Sequence, residues 1–264
     1  MLELEKFSSL NMNDGRDHKI IDIITVLLIG STGSGKSTLA NVISGSDDFD
    51  VGHHSVRSTK DTNVHHYVID GKLYKIVDTV GIGNTRMSSK DVLTKLAIAA
   101  EVIKYEINQI LFVSNGRFTD IEIDALETLE SVIFDKSIFE YTTIVRTNFP
   151  DFIDDAECEK DYQAMISKND KLSLFVKSCK SVIHIDNPPI TKRTKQFAEE
   201  SRKRLLNYLK TCTKVYVPEK LQEMMVTKIG DYMTHKKSLQ KGISWKMDDD
   251  EIIKKLREDG CIIS

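Results

Sequence analysis

The sequence predicts a doubly wound α/β domain with a mostly parallel sheet, one antiparallel strand and a helical C-terminal extension. Three observations carry this reading. The run IITVLLIG, Ile23 to Gly30, is continuously apolar and rich in β-branched residues, the pattern of a strand covered on both faces. A glycine-rich turn and a helical pattern follow it directly. Further along, strand patterns alternate with helical ones.

Taken in order, residues 1–19 are polar and are expected to form a mobile N-terminal segment. A helix is expected from about Lys36 to Ser44. TNVHHYVID and KLYKIVDT flank Asp70-Gly71, a pair that favours a two-residue hairpin turn. A helix should run from about Ser89 to Tyr105, and a strand from Ile107 to Ser114. DIEIDALETLESVIF is amphipathic, with Thr119 placed to cap its start. YTTIVRT and SVIHID (Ser181 to Asp186) read as further strands, with helices between and after them. Beyond Pro218 the chain turns charged and helical, so 218–258 is expected to be a helical extension.

The chain has 264 residues, 40% hydrophobic and 29% charged, enough for one sizeable core. A net charge of -3, without a basic excess, argues against a nucleic-acid partner. Cys158, Cys179, Cys212 and Cys261 are far apart and lack zinc-ligand spacing, as in a reduced cytoplasmic protein. No apolar run of signal-peptide type opens the chain, and IIDIITVLLIG is too short to span a bilayer.

The chemistry begins in GSTGSGKST. The spacing G-x-x-x-x-G-K-S holds at Gly30, Gly35, Lys36 and Ser37, between a strand and a helix. Glycines let backbone N–H groups face phosphates, and a helix N-terminus adds positive potential. Gly30, Gly33, Ser34, Gly35, Lys36, Ser37 and Thr38 are therefore the expected nucleotide contacts. Lys36 would reach the outer phosphates and Ser37 would bind Mg²⁺. The alternative, a glycine-rich turn that merely caps a helix, gives no reason for the Lys-Ser pair. KIVDTVGIG then places Asp78 at a strand end with Gly81 three residues on. This D-x-x-G spacing is the sensor of a switch GTPase, Asp78 holding a metal water and the Gly81 N–H meeting the γ-phosphate. A transport ATPase would need a serine-glycine-glycine signature that is absent, and a small-molecule kinase an arginine-rich lid. HHSVRSTKDT offers the loop hydroxyl that completes the metal shell. Thr59 is favoured over Thr62 and Ser58, against the plainer reading of a solvated loop. The four histidines His53, His54, His65 and His66 are read as solvated.

SNGRFTDIEIDALETL, Ser114 to Leu129, resembles the box between the third and fourth nucleotide motifs of the immunity-associated nucleotide-binding GTPases, the GIMAP family, relatives of septins and chloroplast import GTPases. The matching positions are Gly116, Arg117, Phe118 and Thr119, with Asp124 and Ala125 in the helix. With the phosphate loop, Thr59 and Asp78–Gly81, the resemblance spans roughly 20–217. It implies a P-loop G domain that binds GTP or GDP with Mg²⁺ and dimerises through its nucleotide face. In VRTNFPDF, Arg146 aligns with the family's basic position in the guanine motif. Phe149 stands where the acid is expected, and Asp151 comes two residues later. Asn187 aligns with an asparagine beside the base, or is simply a turn residue before Pro188.

Ile82 follows the D-x-x-G glycine, where fast GTPases carry a polar group that orients water. A hydrocarbon cannot do so, and slow hydrolysis is expected. The resemblance implies a remedy in which a partner's Arg117 acts in trans; alternatively Arg117 pins its own turn. Two readings follow: a slow GTPase activated by dimerisation, and a nucleotide-dependent membrane scaffold that barely hydrolyses. Residues 259–264 hold CIIS, a C-a-a-X pattern that predicts a farnesyl group on Cys261 and peripheral attachment to the cytoplasmic face of a membrane. The plainer reading is a frayed tail with an inert thiol.

Overall fold

The computed structural model describes residues 23–49, 63–79, 81, 107–116, 118, 119, 122, 123, 136–187 and 194–216. The apolar run forms strand β1 (Ile23–Gly30), buried from Ile24 onward. It is buried because it lies between two parallel neighbours, β3 (Lys72–Asp78) and β4 (Gln109–Asn115), in register at Val26↔Ile76 and Val26↔Gln109. A strand paired on both edges and covered on both faces has no polar side, so its sequence does not alternate. The described sheet has six strands in the order β2-β3-β1-β4-β5-β6. β2 (Asn63–Ile69) is antiparallel to β3, while β5 (Thr142–Thr147) and β6 (Ser181–His184) extend the parallel part. The hairpin turns at Asp70 and Gly71, both with positive φ (50° and 75°), as a twisted two-residue turn requires.

Helix α1 (Lys36–Ser44) packs its Leu39, Ala40 and Ile43 onto the face formed by Val26, Leu28, Ile76 and Val145. α4 (Lys195–Leu209) covers the same face with Leu205, Leu206 and Leu209. The opposite face carries an aromatic cluster. Phe112 stacks on Phe118 with ring centres 6.1 Å apart and meets Phe175 of α3 (Asp170–Ser178) edge-on at 5.7 Å. α2 (Asp155–Lys168) begins where the Asp154 carboxylate accepts the Ala156 N–H at 2.9 Å, and α3 where Asn169 Oδ1 accepts the Leu172 N–H at 2.7 Å.

Strand boundaries shift by one or two residues from the sequence expectation, most at the start of β4 and the end of β6. β4 starts at Gln109 rather than Ile107: the Asn108 N–H still donates to the Thr25 carbonyl at 3.1 Å, but the Thr25 N–H is taken by the Asn108 side chain at 2.8 Å. Ile107 instead exchanges two backbone hydrogen bonds with Tyr216, at 2.8 and 3.1 Å. β6 ends at His184, although the Ile185 N–H still reaches the Arg146 carbonyl at 2.9 Å. The expected mobile segment 1–19, the helix at 89–105 and the extension at 218–258 lie outside the described residues. Of the helix expected after Thr119, Glu122 and Ile123 are described, and both are helical.

All five parallel strands end at one edge of the sheet. The chain runs from β1 out to the edge strand β2, turns back through the hairpin to β3 beside β1, and then crosses to β4 on the other side of β1. Such a reversal opens a crevice at the carboxyl ends of the strands, and the Gly30–Thr38 loop sits there.

On the face away from α1, Arg146 of β5 forms a two-pronged ion pair with Asp161 of α2, at 2.8 and 2.9 Å. His184 Nε2 lies 2.9 Å from the same carboxylate. Burial pushes the Asp161 carboxyl up, but the hydrogen bonds from His184 and Arg146 outweigh it and hold it at about 2. The folded value lies below the unfolded value of about 4. Stability from this group is therefore fully present above about pH 4 and is lost as pH falls towards 2. Asp161→Asn should cost about 3 kcal/mol at pH 7, because it leaves the Arg146 cation uncompensated. Urea denaturation should show that gap narrowing between pH 4 and pH 2.

Candidate nucleotide site

The site is built on the loop between β1 and α1. Its first residue is held by contact with β4, since a Cβ on Gly30 would lie 2.2 Å from the Val113 carbonyl oxygen. Only glycine lets the two strands close up at this point. Lys36 opens α1 and folds back over the loop. Its Nζ donates to the carbonyls of Gly30 (3.1 Å) and Ser31 (2.9 Å), and the residue is 6% exposed. Burial lowers the Lys36 amine to about 8, although Asp78 and Glu122 pull the other way. The ammonium thus sits in surroundings that undercompensate its charge, at a helix N-terminus. An anion placed there is stabilised by both.

Asp78, at the end of β3, is fully buried beside this loop. Its Oδ2 accepts the Ser37 hydroxyl at 2.6 Å, and its Oδ1 has no hydrogen-bond partner. Burial raises the Asp78 carboxyl, a shift that Ser37 and Lys36 oppose without cancelling. A carboxylate with one idle buried oxygen beside a serine hydroxyl suits a hydrated divalent cation. No cluster of three or more metal-ligating His, Cys, Asp or Glu side chains occurs among the described residues. Mg²⁺ here would depend on Ser37, on Asp78 and on oxygens that a ligand brings. Gly81 closes the same corner. A Cβ on it would fall 2.4 Å from Thr32 Oγ1 and 2.7 Å from Thr32 N, so the D-x-x-G turn lies directly against the phosphate loop.

The idle polar atoms mark out a path. Six buried side-chain N or O atoms among the described residues lack a partner, and four of them follow this edge: Ser34 Oγ, Asp78 Oδ1 and both amide atoms of Asn187. An unpartnered buried polar atom costs free energy, and several along one edge suit a polar ligand.

The structure brings together the loop residues Gly30 to Thr38, Asp78 and Gly81, and puts Asn187 at the same edge. Arg146 has a different occupation from the expected one. Alternation along β5 turns it to the face opposite Thr147. There its guanidinium meets Asp161, donates to Ser114 Oγ at 3.1 Å and lies over the Phe118 ring. The residue of β5 that touches the phosphate loop is Thr147, whose hydroxyl donates to the Ser34 carbonyl at 2.7 Å. The Phe149 ring packs against His184, with centres 4.7 Å apart. Thr59, Ile82, Arg117 and Cys261 lie outside the described residues. Sequence reasoning also passed over Glu122, whose carboxylate accepts the Ser31 hydroxyl at 2.9 Å. The signal for it was present, because Thr119-x-x-Glu122 has capping-box spacing.

Thr147→Val keeps the side-chain shape and removes the donor to the Ser34 carbonyl. It should cost about 1–3 kcal/mol in urea denaturation, whereas Thr147→Ser should stay close to wild type.

Comparison with known proteins agrees with this geometry. The family model described as AIG1 family matches residues 24–239. No curated protein sequence matches the chain at a significant level. Among solved structures, a dimerization-deficient mutant of Toc33 from Arabidopsis thaliana is 16% identical, with a TM-score of 0.56, over 81% of this chain and 92% of that one. Toc33 from Arabidopsis thaliana in complex with GDP and Mg²⁺ is 17% identical, with a TM-score of 0.55, over 82% and 94%. A structure of the chloroplast translocon components atToc33 and psToc159, for which dimerization is important for GTPase activity, is 15% identical, with a TM-score of 0.54, over 80% and 89%. At such identities these likenesses speak for the fold, a P-loop G domain, while the family match covers most of the sequence: the chain belongs to the AIG1 family.

Proposed function

We propose that this protein is a GTP-binding switch that dimerises through its nucleotide face and hydrolyses GTP slowly. The observation that carries the reading is the pairing of Ser37 with Asp78 at 2.6 Å, with Asp78 Oδ1 idle, beside the buried Lys36 ammonium. These groups would form the donor set for a triphosphate and its cation. Lys36 would exchange the Gly30 and Ser31 carbonyls for outer phosphate oxygens, while the N-terminus of α1 orients its N–H groups towards them. Gly81, seated on Thr32, would offer its N–H to the γ-phosphate. The Asn187 amide, with both atoms unpartnered, would meet the base. When bound, Mg²⁺ neutralises charge between the β- and γ-phosphates; Ser37 would hold it directly, Asp78 through water, and Thr59 is the proposed third partner. Guanine is preferred on the support of family membership, and because the related Toc33 has been crystallised with GDP and with GMPPNP, each with Mg²⁺.

Ile82 beside Gly81 leaves the attacking water without an orienting side chain, and a single protomer should turn over slowly. Arg117 supplied by a second copy would neutralise the transferring phosphoryl group. Toc33 lends support, since dimerization matters for its GTPase activity. The same Ile82 favours a second reading, a nucleotide-dependent scaffold with negligible hydrolysis. Attachment to a membrane through a lipid on Cys261 belongs to the same proposal.

Calorimetry with GTP, GDP and ATP tests the base choice. Lys36→Ala should lose triphosphate binding by at least about 100-fold, and near-normal affinity in that variant would refute the assignment. Turnover per protomer should rise with protein concentration, and Arg117→Ala should abolish the rise. Tight GTP binding with flat, negligible turnover would select the scaffold. Intact mass of the protein from eukaryotic cells should show a farnesyl group on Cys261; an unmodified Cys261 with Ser264 still present would overturn the lipid.

A further inference from the structure

Glu122 is a buried carboxylate to which the nucleotide chemistry above gives no task. It is 3% exposed. Its Oε2 accepts the Thr119 N–H at 2.9 Å and the Thr119 hydroxyl at 3.1 Å, and its own N–H donates back to Thr119 Oγ1 at 3.3 Å. These contacts form a capping box, which needs only one carboxylate oxygen. The other, Oε1, accepts the Ser31 hydroxyl at 2.9 Å, across 91 residues of sequence. A local cap would leave that oxygen to water. Here it is spent on the phosphate loop, and the carboxylate is buried to do so.

Ser31 has two bonds with opposite loyalties. Its carbonyl takes the Lys36 ammonium, and its hydroxyl takes Glu122. A ligand that draws Lys36 away from the carbonyl changes the Ser31 peptide, and Glu122 is the next group in line. Beyond it lies the turn that the sequence places after β4, described at Gly116, Phe118 and Thr119: Gly116 has a positive φ of 73°, and Lys168 Nζ donates to the Phe118 carbonyl. Arg117 falls within this turn in the sequence.

We propose that Glu122 is a positioning residue that couples occupation of the phosphate loop by a polyphosphate to the arrangement of the Gly116–Thr119 turn. The inference rests on the nucleotide-binding reading above. Binding breaks the Lys36–Ser31 contact, the Ser31 hydroxyl re-aims, and the Glu122 carboxylate shifts its hold on Thr119. A ligand can move this turn only as far as its interactions differ between the two arrangements. The Ser31–Glu122 bond supplies that difference. The turn is thereby set when nucleotide is present, before any second copy arrives.

The test uses hydrogen exchange of residues 114–123 in the full chain, with no nucleotide, with GDP and with a non-hydrolysable GTP analogue. Calorimetry on each protein fixes saturating concentrations. In wild type the analogue should slow exchange of this segment about tenfold. Ser31→Ala severs the bridge and leaves the capping box intact, so the response at saturation should fall below about twofold. Glu122→Ala should behave alike, and the double variant should add nothing, as expected of one shared interaction. If Glu122→Ala does not fold, Ser31→Ala decides alone. A wild-type response retained in Ser31→Ala would overturn the coupling. So would a wild-type segment that ignores a nucleotide shown to bind. Failure of wild type to bind nucleotide at all would show in calorimetry, and would overturn the nucleotide reading together with this one.

Discussion

A lysine ammonium buried at the start of α1 is the constraint on which the candidate site depends. Removing Lys36 from water weakens its hold on its proton, and two backbone carbonyls and the Asp78 and Glu122 carboxylates compensate only in part. The position persists because everything around it is fixed for other reasons. β1 is apolar on both faces and occupies the middle of the sheet, so the loop that follows emerges at the centre of the carboxyl edge. Gly30 is seated on the Val113 carbonyl, and Thr147 holds Ser34. Leu39, Ala40 and Ile43 anchor α1 in the core. A rigid frame thus holds a buried cation where, on the function proposed above, a polyphosphate would bind.

Parallel pairing decides what else can reach that cation. Strands that run the same way deliver their last residues to one edge, and here those residues include Gly30, Asp78, Asn115 and Thr147. The opposite edge is sealed differently. Asn108 caps the start of β1 at Thr25, and Ile107 pairs with Tyr216 as the chain comes back from α4. Four of the six idle buried polar atoms among the described residues therefore lie at the carboxyl edge, while the other edge is closed by hydrogen bonds apart from Gln109 Oε1. The chemical polarity of the domain follows from strand direction, before any individual side chain is considered.

Strand β5 shows how a strand sorts neighbouring residues by task. Thr147 and Arg146 are adjacent, yet one grips the phosphate loop while the other is clamped by Asp161 beside His184 on the far face. Reading a motif by alignment treats the two positions as a slidable string. The pleat does not allow the slide, because moving by one residue exchanges the faces.

What local chemistry writes was legible in the residues alone. The continuous run of β1, the G-x-x-x-x-G-K-S spacing, the Asp70-Gly71 turn and Thr119 as a cap each depend on a few consecutive residues, and each appears where it was expected. The sequence could not say that Glu122 would send its second oxygen to Ser31, that Thr147 rather than Arg146 would face the loop, or that Ile107 would leave its strand for Tyr216. Each of these joins residues far apart in the chain. Their partners are chosen by strand order, register and the face on which a side chain emerges, and those exist only once the sheet has assembled.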